Sequence, residues 1–250
     1  MAPATLVNVC GPGRSGTTML DLMLGTPAEA FSCGEAVAAF QPRRPEHAHL
    51  VCSCGEDPCP VWERLRAGPA EQFHRRVADT LGVERVIDSS KWFGWVRDAN
   101  RWGADSGMRV VNLLIWKEPL ELAFSWWKRG ELPADEEAIW CYVQYHARLL
   151  DAGFPVVSVP YADPAGVLAS TCRAIGLPYE PGQERFWTTQ HHNLFGSSRA
   201  RRTLRASDAT IRRTEPSQEF LEATGTLAAR TASDPELAGV IDRVRACAPA

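Results

Sequence analysis

Four short runs of the chain are rich in apolar and β-branched residues and lack the regular polar alternation of a half-exposed strand. They lie at residues 6–10, 85–88, 110–116 and 156–159. Continuous runs of this length are typical of strands that are covered on both faces of a parallel sheet. The pattern therefore predicts four buried strands.

The stretches between these runs have the apolar spacing of helices, and the clearest of them cover residues 16–24, 70–81, 119–129 and 135–151. Strands that alternate with helices predict an α/β fold with a three-layer, doubly wound and mostly parallel sheet. In such sheets, ligands bind beyond the carboxyl ends of the strands. Candidate chemistry is therefore expected where the predicted strands end.

The segment after the first predicted strand has the frame of a phosphate-binding loop. Residues 11–18 match G-x-x-x-x-G-[K]-[ST], except that Thr17 stands at the lysine position. The glycines allow backbone N–H groups to converge on an anion, and a helix beginning near Gly16 adds its positive end. Nucleoside triphosphatases use the missing lysine on the β- and γ-phosphates, so the loop predicts a 5′-phosphate ligand that is not a triphosphate. The binding groups expected at this P-loop-like turn belong to Gly13, Arg14, Ser15, Gly16, Thr17 and Thr18.

Composition narrows the class of protein without identifying it. The 250 residues are expected to form one domain (1–250) with insertion-like loops at about 41–60 and 187–213. The 45% hydrophobic and 23% charged content is ordinary for a globular protein, and a net charge of −3 argues against a surface-wide nucleic-acid footprint. We expect no nucleic-acid or membrane partner, since no apolar stretch is long enough to cross a bilayer. Eight scattered cysteines and the lack of a secretory leader favour the reducing cytoplasm.

Positive charge is concentrated late in the chain. Residues 199–213 contain six arginines against a single acid, Asp208. Because arginine recognises a phosphate dianion well, this cluster is a candidate for a phosphate contact. A solvated basic loop is the alternative interpretation.

The motif Gly-Arg-Ser-Gly-Thr-Thr at residues 13–18, after an N-terminal strand, resembles the 5′-phosphosulfate loop of bacterial-type sulfotransferases that use 3′-phosphoadenosine-5′-phosphosulfate (PAPS). Lys117-Glu-Pro, with Ser125 eight positions later, resembles the family's 3′-phosphate segment, in which arginine usually stands at the position of Lys117. Lysine keeps the charge but loses the bidentate fork. The arginine cluster at residues 199–213, with His192 and Gly196 just before it, resembles the family's late loop that closes over the nucleotide. This resemblance makes Arg199, Arg201 and Arg202 candidates for the 3′-phosphate contact. The resemblance implies the P-loop-like sulfotransferase fold, with PAPS as co-substrate and 3′,5′-adenosine bisphosphate (PAP) as product.

The same resemblance implies two catalytic residues. Ser-Cys-Gly-Glu at residues 32–35 resembles the segment whose glutamate is the catalytic base in Golgi-type and tyrosylprotein sulfotransferases, which implies that role for Glu35. Asp-Ser-Ser-Lys at residues 88–91 resembles a segment of bacterial members. Lys91 would neutralise charge on the departing phosphate, so no metal is expected in the chemistry.

Neighbouring side chains have other interpretations. Asp88 is expected to cap or orient Ser90 and Lys91 rather than to react. His191 and His192 are alternatives to the glutamate as base, because imidazole can accept a proton near neutral pH.

A cysteine-rich segment lies between these motifs. Three thiols in a C-x-C-x4-C pattern have another thiol and two histidines nearby in the sequence, and the group consists of Cys33, His47, His49, Cys52, Cys54 and Cys59. The spacing differs from the paired C-x-x-C of many zinc sites. A packed or redox-sensitive loop is therefore preferred here to a metal site.

The motifs together predict a PAPS-dependent sulfotransferase that moves a sulfuryl group to a hydroxyl of a small-molecule acceptor, such as a phenolic or natural-product metabolite. One alternative is a small-molecule kinase with a degenerate phosphate loop, which would need ATP and magnesium. Another is a non-catalytic nucleotide- or RNA-binding module, which would bind nucleic acid in a salt-sensitive way.

Overall fold

A single parallel sheet forms the centre of the protein, whose computed structural model describes residues 3–161, 165–204 and 215–248. In these residues the strands are β1 Thr5–Cys10, β2 Ala30–Ser32, β3 Arg85–Asp88, β4 Arg109–Trp116 and β5 Val156–Pro160. Their order across the sheet is β2-β3-β1-β4-β5, and every pairing is parallel. The predicted doubly wound α/β sheet is confirmed. The four apolar runs are strands, whereas the three-residue β2 has no run of its own.

Helices cover both faces of the sheet. In the described residues they are α1 Thr17–Leu24, α2 Val37–Phe40, α3 Pro60–Leu65, α4 Phe73–Leu81, α5 Phe93–Asp105, α6 Pro119–Trp127, α7 Asp135–Leu150, α8 Leu168–Ala174, α9 Ser198–Thr203, α10 Gln218–Ala223, α11 Gly225–Ser233 and α12 Pro235–Ala246. Shorter 3-10 turns occupy Pro45–Ala48, Ala70–Gln72 and Phe186–Thr188. The four predicted helices are present, and the second begins with a 3-10 turn.

The burial of the central strand β1 explains why its sequence does not alternate between apolar and polar residues. All six of its residues are buried. Leu6 packs with side chains of α4 and α5 on one face, while Val7 and Val9 pack with α1 and α8 on the other. The polar Asn8 is satisfied within the sheet, because its side chain donates to Asn112 Oδ1 at 2.9 Å. Both faces of the strand are therefore covered, as the continuous apolar run predicts.

The order of the strands positions the loops that follow them. From β1 the chain moves to the β2 edge, whereas from β4 it moves to β5 at the opposite edge. The direction of winding thus reverses between β1 and β4, and a crevice at such a switch point is the usual ligand site of an open α/β sheet. The phosphate-loop frame follows β1, and Lys117 follows β4 directly.

The two insertion-like loops contact each other through the first part of the late loop. Leu194 bridges in parallel to Gly34 and antiparallel to Cys52. His191, Asn193 and Leu194 are all buried. The beginning of this insertion-like polar loop is therefore part of the packed structure, because its backbone completes the hydrogen bonding of the segments around Gly34 and Cys52. Among the described residues, no helix is long and apolar enough to cross a membrane.

Candidate functional site

A cavity of about 550 Å³ lies at the carboxyl end of the sheet, where the loops after β1, β2, β3 and β4 converge. It brings together most of the residues predicted from the motifs. The predicted residues that line it are Gly13, Arg14, Gly16, Thr17, Thr18, Glu35, Lys91, Lys117 and Ser125. Its volume lies within the range of about 300–1,000 Å³ that is usual for small-ligand sites.

The phosphate loop has the backbone conformation that its glycines predict. Gly16 precedes α1 with a φ of 109°, and a Cβ at this position would lie 2.6 Å from the Tyr161 ring. Glycine is therefore required both for conformation and for space. The helix begins at Thr17, so its positive end faces the cavity. Ser15 is fully buried behind the loop and does not line the cavity.

The late segment closes directly onto this loop. The backbone N–H of Ser197 donates to Thr18 Oγ1 at 3.0 Å. Gly196 has a φ of 80°, and a Cβ there would lie 2.7 Å from Thr18 Cγ2. Phe195, Gly196 and Ser197 consequently form one wall of the cavity.

The late arginines do not all fall within the described structure. Arg202 is exposed and is not part of the cavity lining, although Ala200 and Thr203 on the same helix are. The side chains of Arg199 and Arg201 lie outside the described residues, so their predicted phosphate contact stays a prediction.

Arg14 connects the phosphate loop to the turn after α6. Its guanidinium donates to both carboxylate oxygens of Glu131, at 2.6 and 3.0 Å. This ion pair lowers the pKa of Glu131. Trp126, in the last turn of α6, donates from Nε1 to the Gly13 carbonyl at 3.2 Å, so the end of this helix contacts the loop as well. Glu131 belongs to no recognised motif, and no local pattern predicts its contact with Arg14.

Lys117 and Ser125 lie together as the 3′-phosphate motif predicts. Lys117 Nζ donates to Ser125 Oγ at 2.9 Å, and this ammonium lies 3.9 Å from the centre of the Tyr161 ring. The eight-residue spacing brings the two side chains together because β4 ends at Trp116 and α6 folds back over it from Pro119. The pair presents one ammonium and one hydroxyl to the cavity.

Glu35 and Lys91 form an ion pair at the cavity wall. Lys91 Nζ donates to Glu35 Oε1 at 2.5 Å, and both side chains are about one-fifth exposed (20% and 23%). The Glu35 backbone is fixed by its own N–H, which donates to the Leu194 carbonyl at 2.9 Å. The preceding Gly34 has a φ of 71°, and a Cβ there would lie 2.2 Å from the Leu194 carbonyl oxygen. Lys91 itself has a φ of 58°, which is uncommon for a residue with a side chain.

Tyr145 on α7 connects the phosphate loop to the Lys91 loop, and no sequence motif indicated it. Its hydroxyl accepts from the Gly11 N–H at 2.8 Å and donates to the Lys91 carbonyl at 3.0 Å. Burial raises the pKa of Tyr145 well above its ordinary value, so the hydroxyl stays protonated. The two loops are therefore held in register by one side chain.

Two buried aspartates support the loops from behind. Asp88 accepts from the Ser90 N–H at 2.9 Å, from Trp95 Nε1 at 2.8 Å and from His74 Nε2 at 2.7 Å. This agrees with the expectation that Asp88 orients the residues after β3. Asp21 on α1 accepts from Ser32, Gly34, Ser89 and Asn193 at 2.5–3.2 Å. Burial raises the pKa of Asp21 to about 7, against the lowering effect of the Ser32 and Ser89 hydrogen bonds.

The two alternative histidine bases lie elsewhere. His191 is buried with Nε2 donating to the Phe186 carbonyl at 2.9 Å, and burial lowers its pKa to about 4. His192 points to Cys59, with Nδ1 3.3 Å from Sγ. Among the described residues, Glu35 lines the cavity, whereas neither of these two histidines does.

Comparison with known proteins connects this geometry to one fold. No protein-family model matches the chain, and no curated protein matches it by sequence. In contrast, the solved structure of a sulfotransferase domain from the curacin biosynthetic pathway is similar over 97% of this chain and 98% of its own, with a TM-score of 0.58 and 15% identity. A sulfotransferase domain from the Synechococcus PCC 7002 olefin synthase is similar over 98% of this chain and 94% of its own, with a TM-score of 0.57 and 15% identity. The chain therefore has the bacterial-type sulfotransferase fold, as the resemblance implied.

Proposed function

We propose that this protein is a sulfotransferase that moves a sulfuryl group from PAPS to a hydroxyl group of a small-molecule acceptor. The observation that carries the proposal is the shared cavity. A phosphate loop without the triphosphatase lysine, the Glu35–Lys91 pair and the Lys117–Ser125 pair all face it. The fold of the two solved sulfotransferase domains supports the same class of reaction.

The donor is proposed to bind along the switch point of the sheet. Its 5′-phosphosulfate would contact the N–H groups and hydroxyls of the loop at residues 13–18, where the positive end of α1 favours an anion. Its 3′-phosphate would contact Lys117 Nζ and Ser125 Oγ, which lie 2.9 Å apart. These contacts use only donors that the cavity presents.

In the proposed reaction, the acceptor hydroxyl oxygen attacks the sulfur and forms the new S–O bond. The bond between the sulfur and the bridging oxygen of the donor breaks, and that oxygen leaves on the 5′-phosphate of PAP. Glu35 takes the hydroxyl proton. Lys91, which is paired with Glu35 before the reaction, stabilises the negative charge that develops on the departing phosphate. Lys91 therefore pairs with the phosphate once Glu35 has taken the proton.

The acceptor is proposed to be a small aromatic alcohol or phenol. Trp126 and Phe195 contribute aromatic surface to the cavity, and the imidazole of His47 lies 4.9 Å from the Phe195 ring. Aromatic walls favour flat aromatic ligands. None of the eight cysteines forms a disulfide in the described residues, which supports a reducing, cytoplasmic setting for this chemistry.

Calorimetric titration of the full chain separates this proposal from its alternatives. PAP is expected to bind, whereas ATP with magnesium and a short RNA are expected to give little heat. ATP binding without PAP binding would support a kinase and overturn the proposal. Salt-sensitive RNA binding without PAP binding would instead support a binding module. Turnover is then tested by release of PAP from PAPS with a panel of phenols and aliphatic alcohols, and PAP binding without any acceptor-dependent release would contradict the transferase activity.

A further inference from the structure

Four side chains on the far side of the Glu35 loop converge on one point. Cys52, Cys54 and Cys59 come from the first insertion-like loop, and His192 comes from the late segment. Their four potential ligand atoms all lie within 4.8 Å of one another. His192 Nδ1 is 3.3 Å from Cys59 Sγ and 4.0 Å from Cys52 Sγ. None of the three cysteines forms a disulfide.

We propose that these four residues bind a zinc ion with a structural role. A tetrahedral zinc site has Zn–S bonds of about 2.3 Å and Zn–N bonds of about 2.0–2.1 Å, which places neighbouring ligand atoms about 3.5–3.8 Å apart. The separations of 3.3 and 4.0 Å bracket that value. Small side-chain adjustments would therefore suffice to complete the coordination.

The chemistry of the donors favours zinc over harder cations. Three thiols and one imidazole form a Cys3His set, which is a standard structural zinc site, whereas calcium and magnesium require oxygen ligands. Four protein ligands leave no open position for a substrate, so the site would not be catalytic. Cys52 and Cys59 are buried, and Cys54 and His192 are half-buried. Binding would release the thiol protons to solvent, because the ligands are thiolates.

Neighbouring side chains and backbone hold the segment that carries His192. Trp62 Nε1 donates to the His192 carbonyl at 2.5 Å, and the Trp62 ring is buried. Ser53 adds two hydrogen bonds to the same segment, from its hydroxyl to the His191 carbonyl at 2.7 Å and from its N–H to the Asn193 carbonyl at 2.9 Å. The histidine is therefore presented from a fixed backbone.

The metal would fasten two segments that the cavity depends on. The N–H of Phe195 donates to the Val51 carbonyl at 3.1 Å, and Leu194 bridges to both Cys52 and Gly34. The Glu35 N–H donates to Leu194 in turn. Zinc is thus placed to hold the wall that carries Phe195 and the loop that carries Glu35. This assignment replaces the sequence-based preference for a packed or redox-sensitive loop.

Metal analysis of the full chain, purified without chelators, tests the proposal. We expect about one zinc per chain, and replacement by cobalt is expected to give the thiolate-to-cobalt charge-transfer and visible bands of a tetrahedral site. Cys59→Ser and His192→Gln should each weaken zinc retention by more than the ~10–100-fold that is typical for losing an outer-shell partner. Cys141→Ser, on α7 and outside the cluster, is the matched control and should keep its zinc.

Two results would overturn the zinc site. One is wild-type protein that carries no zinc and gives no tetrahedral cobalt spectrum after reduction and reconstitution. The other is a disulfide between two of these cysteines in protein kept under cytoplasm-like reducing conditions. Both readouts use the wild-type chain, so they stand even if a ligand variant does not fold. Neither depends on turnover of PAPS, and failure of the metal site would leave the proposed transferase activity untouched.

Discussion

Lys91 and Glu35 form a 2.5 Å ion pair although they follow different strands of the sheet. Glu35 is the third residue after β2, which ends at Ser32, and Lys91 is the third residue after β3, which ends at Asp88. The two strands are adjacent and parallel, with Ser32 opposite Ile87. From these paired positions, Glu35 lies three residues beyond Ser32 and Lys91 four residues beyond Ile87, so the loops after the two strands run side by side. The parallel pairing of β2 and β3 thus places the carboxylate and the ammonium at the same edge of the sheet.

Replacing Glu35 with Gln is expected to lower kcat for sulfuryl transfer by about 10²–10⁴-fold, the usual contribution of a general base. PAP affinity should change little, because the amide keeps the size of the side chain. Steady-state kinetics and PAP titration measure the two effects. Glu219→Gln on exposed α10 is the matched control and should behave like the wild type. Near-normal turnover of the Glu35→Gln variant would remove the glutamate from the mechanism.

Lys117 provides a test of the proposed 3′-phosphate contact. Lys117→Met should weaken PAP binding at least tenfold, which corresponds to about 1.4 kcal/mol. Lys117→Arg should retain binding, since guanidinium offers a bidentate fork to a phosphate. Calorimetry at one fixed salt concentration gives both values. Adenosine 5′-phosphate, which lacks the 3′-phosphate, should bind the wild type and the Met variant alike. A Met variant with wild-type affinity for PAP would refute the assignment.

Gly196→Ala tests the contact between the late segment and the phosphate loop. The new Cβ would lie 2.7 Å from Thr18 Cγ2, and the residue has a φ of 80°. We expect weaker PAP binding together with a stability loss above the ~1–2 kcal/mol of the backbone conformation alone. Gly153→Ala is the matched control, because its φ is 79° and its Cβ would have nothing within 4 Å. Equal effects in the two variants would show that the Thr18 contact is unimportant.

Tyr145→Phe removes a hydroxyl that connects the phosphate loop to the Lys91 loop. The Gly11 N–H and the Lys91 carbonyl lose this partner, which should cost about 1–3 kcal/mol of unfolding free energy. Turnover should fall as well, because the position of Lys91 is no longer fixed. Urea unfolding and kinetics measure both. Tyr179→Phe, whose hydroxyl donates to exposed Glu184 at 3.3 Å, should change neither quantity. A Tyr145→Phe variant with unaltered stability would contradict the linking role.

The buried His146 on α7 is expected to lower the stability of the fold in acid. Burial lowers its pKa to about 4 from an ordinary 6.5. Between these pH values the unfolded chain takes up a proton that the folded chain does not, so stability falls as the pH falls. The full shift corresponds to on the order of 3 kcal/mol, reached only near the lower pKa. The raised pKa of Asp21 has the opposite effect, because it makes the folded chain take up a proton that the unfolded chain does not. A substitution of His146 leaves this Asp21 contribution in place.

His146→Phe should flatten that part of the pH profile. The phenyl ring can keep the stacking on Tyr142, whose ring centre lies 4.2 Å from the imidazole. Near neutral pH the variant should lose about 1 kcal/mol with the hydrogen bond to the Tyr142 carbonyl. At about pH 5 the difference should shrink or reverse. Parallel stability profiles for the two proteins would count against the buried neutral imidazole.

Much of the fold, together with the phosphate loop and the Lys117–Ser125 pair of the site, could be predicted from short stretches of sequence. The apolar runs marked β1, β3, β4 and β5 because buried parallel strands need apolar residues at nearly every position. The phosphate loop was found from the spacing of its glycines, and the Lys117–Ser125 pair from its resemblance to the sulfotransferase 3′-phosphate segment. Each depends on residues within one strand–turn–helix unit, where spacing along the chain fixes spacing in the structure.

The remainder of the site depends on contacts between distant segments. Tyr145 contacts Gly11 from 134 positions away, and His192 approaches Cys59 from 133 positions away. No local spacing encodes either pairing. The strand β2 escaped detection because three residues are too few to show a period. The late segment was predicted as an insertion-like polar loop, and the burial of His191 and Asn193 was not foreseen because it depends on hydrogen bonds to distant segments.

The bridge from Leu194 to Gly34 and Cys52 has a consequence for the order in which the protein is built. During synthesis β1, its phosphate loop and the strands beside it leave the ribosome well before residue 194 does. Long-range contacts of this kind form late, because closing a long loop costs entropy before the contact is made. The segment carrying Glu35 therefore lacks its backbone partner until most of the chain has been translated. A nascent chain stopped before that point would contain every strand of the sheet and still lack one wall of its cavity.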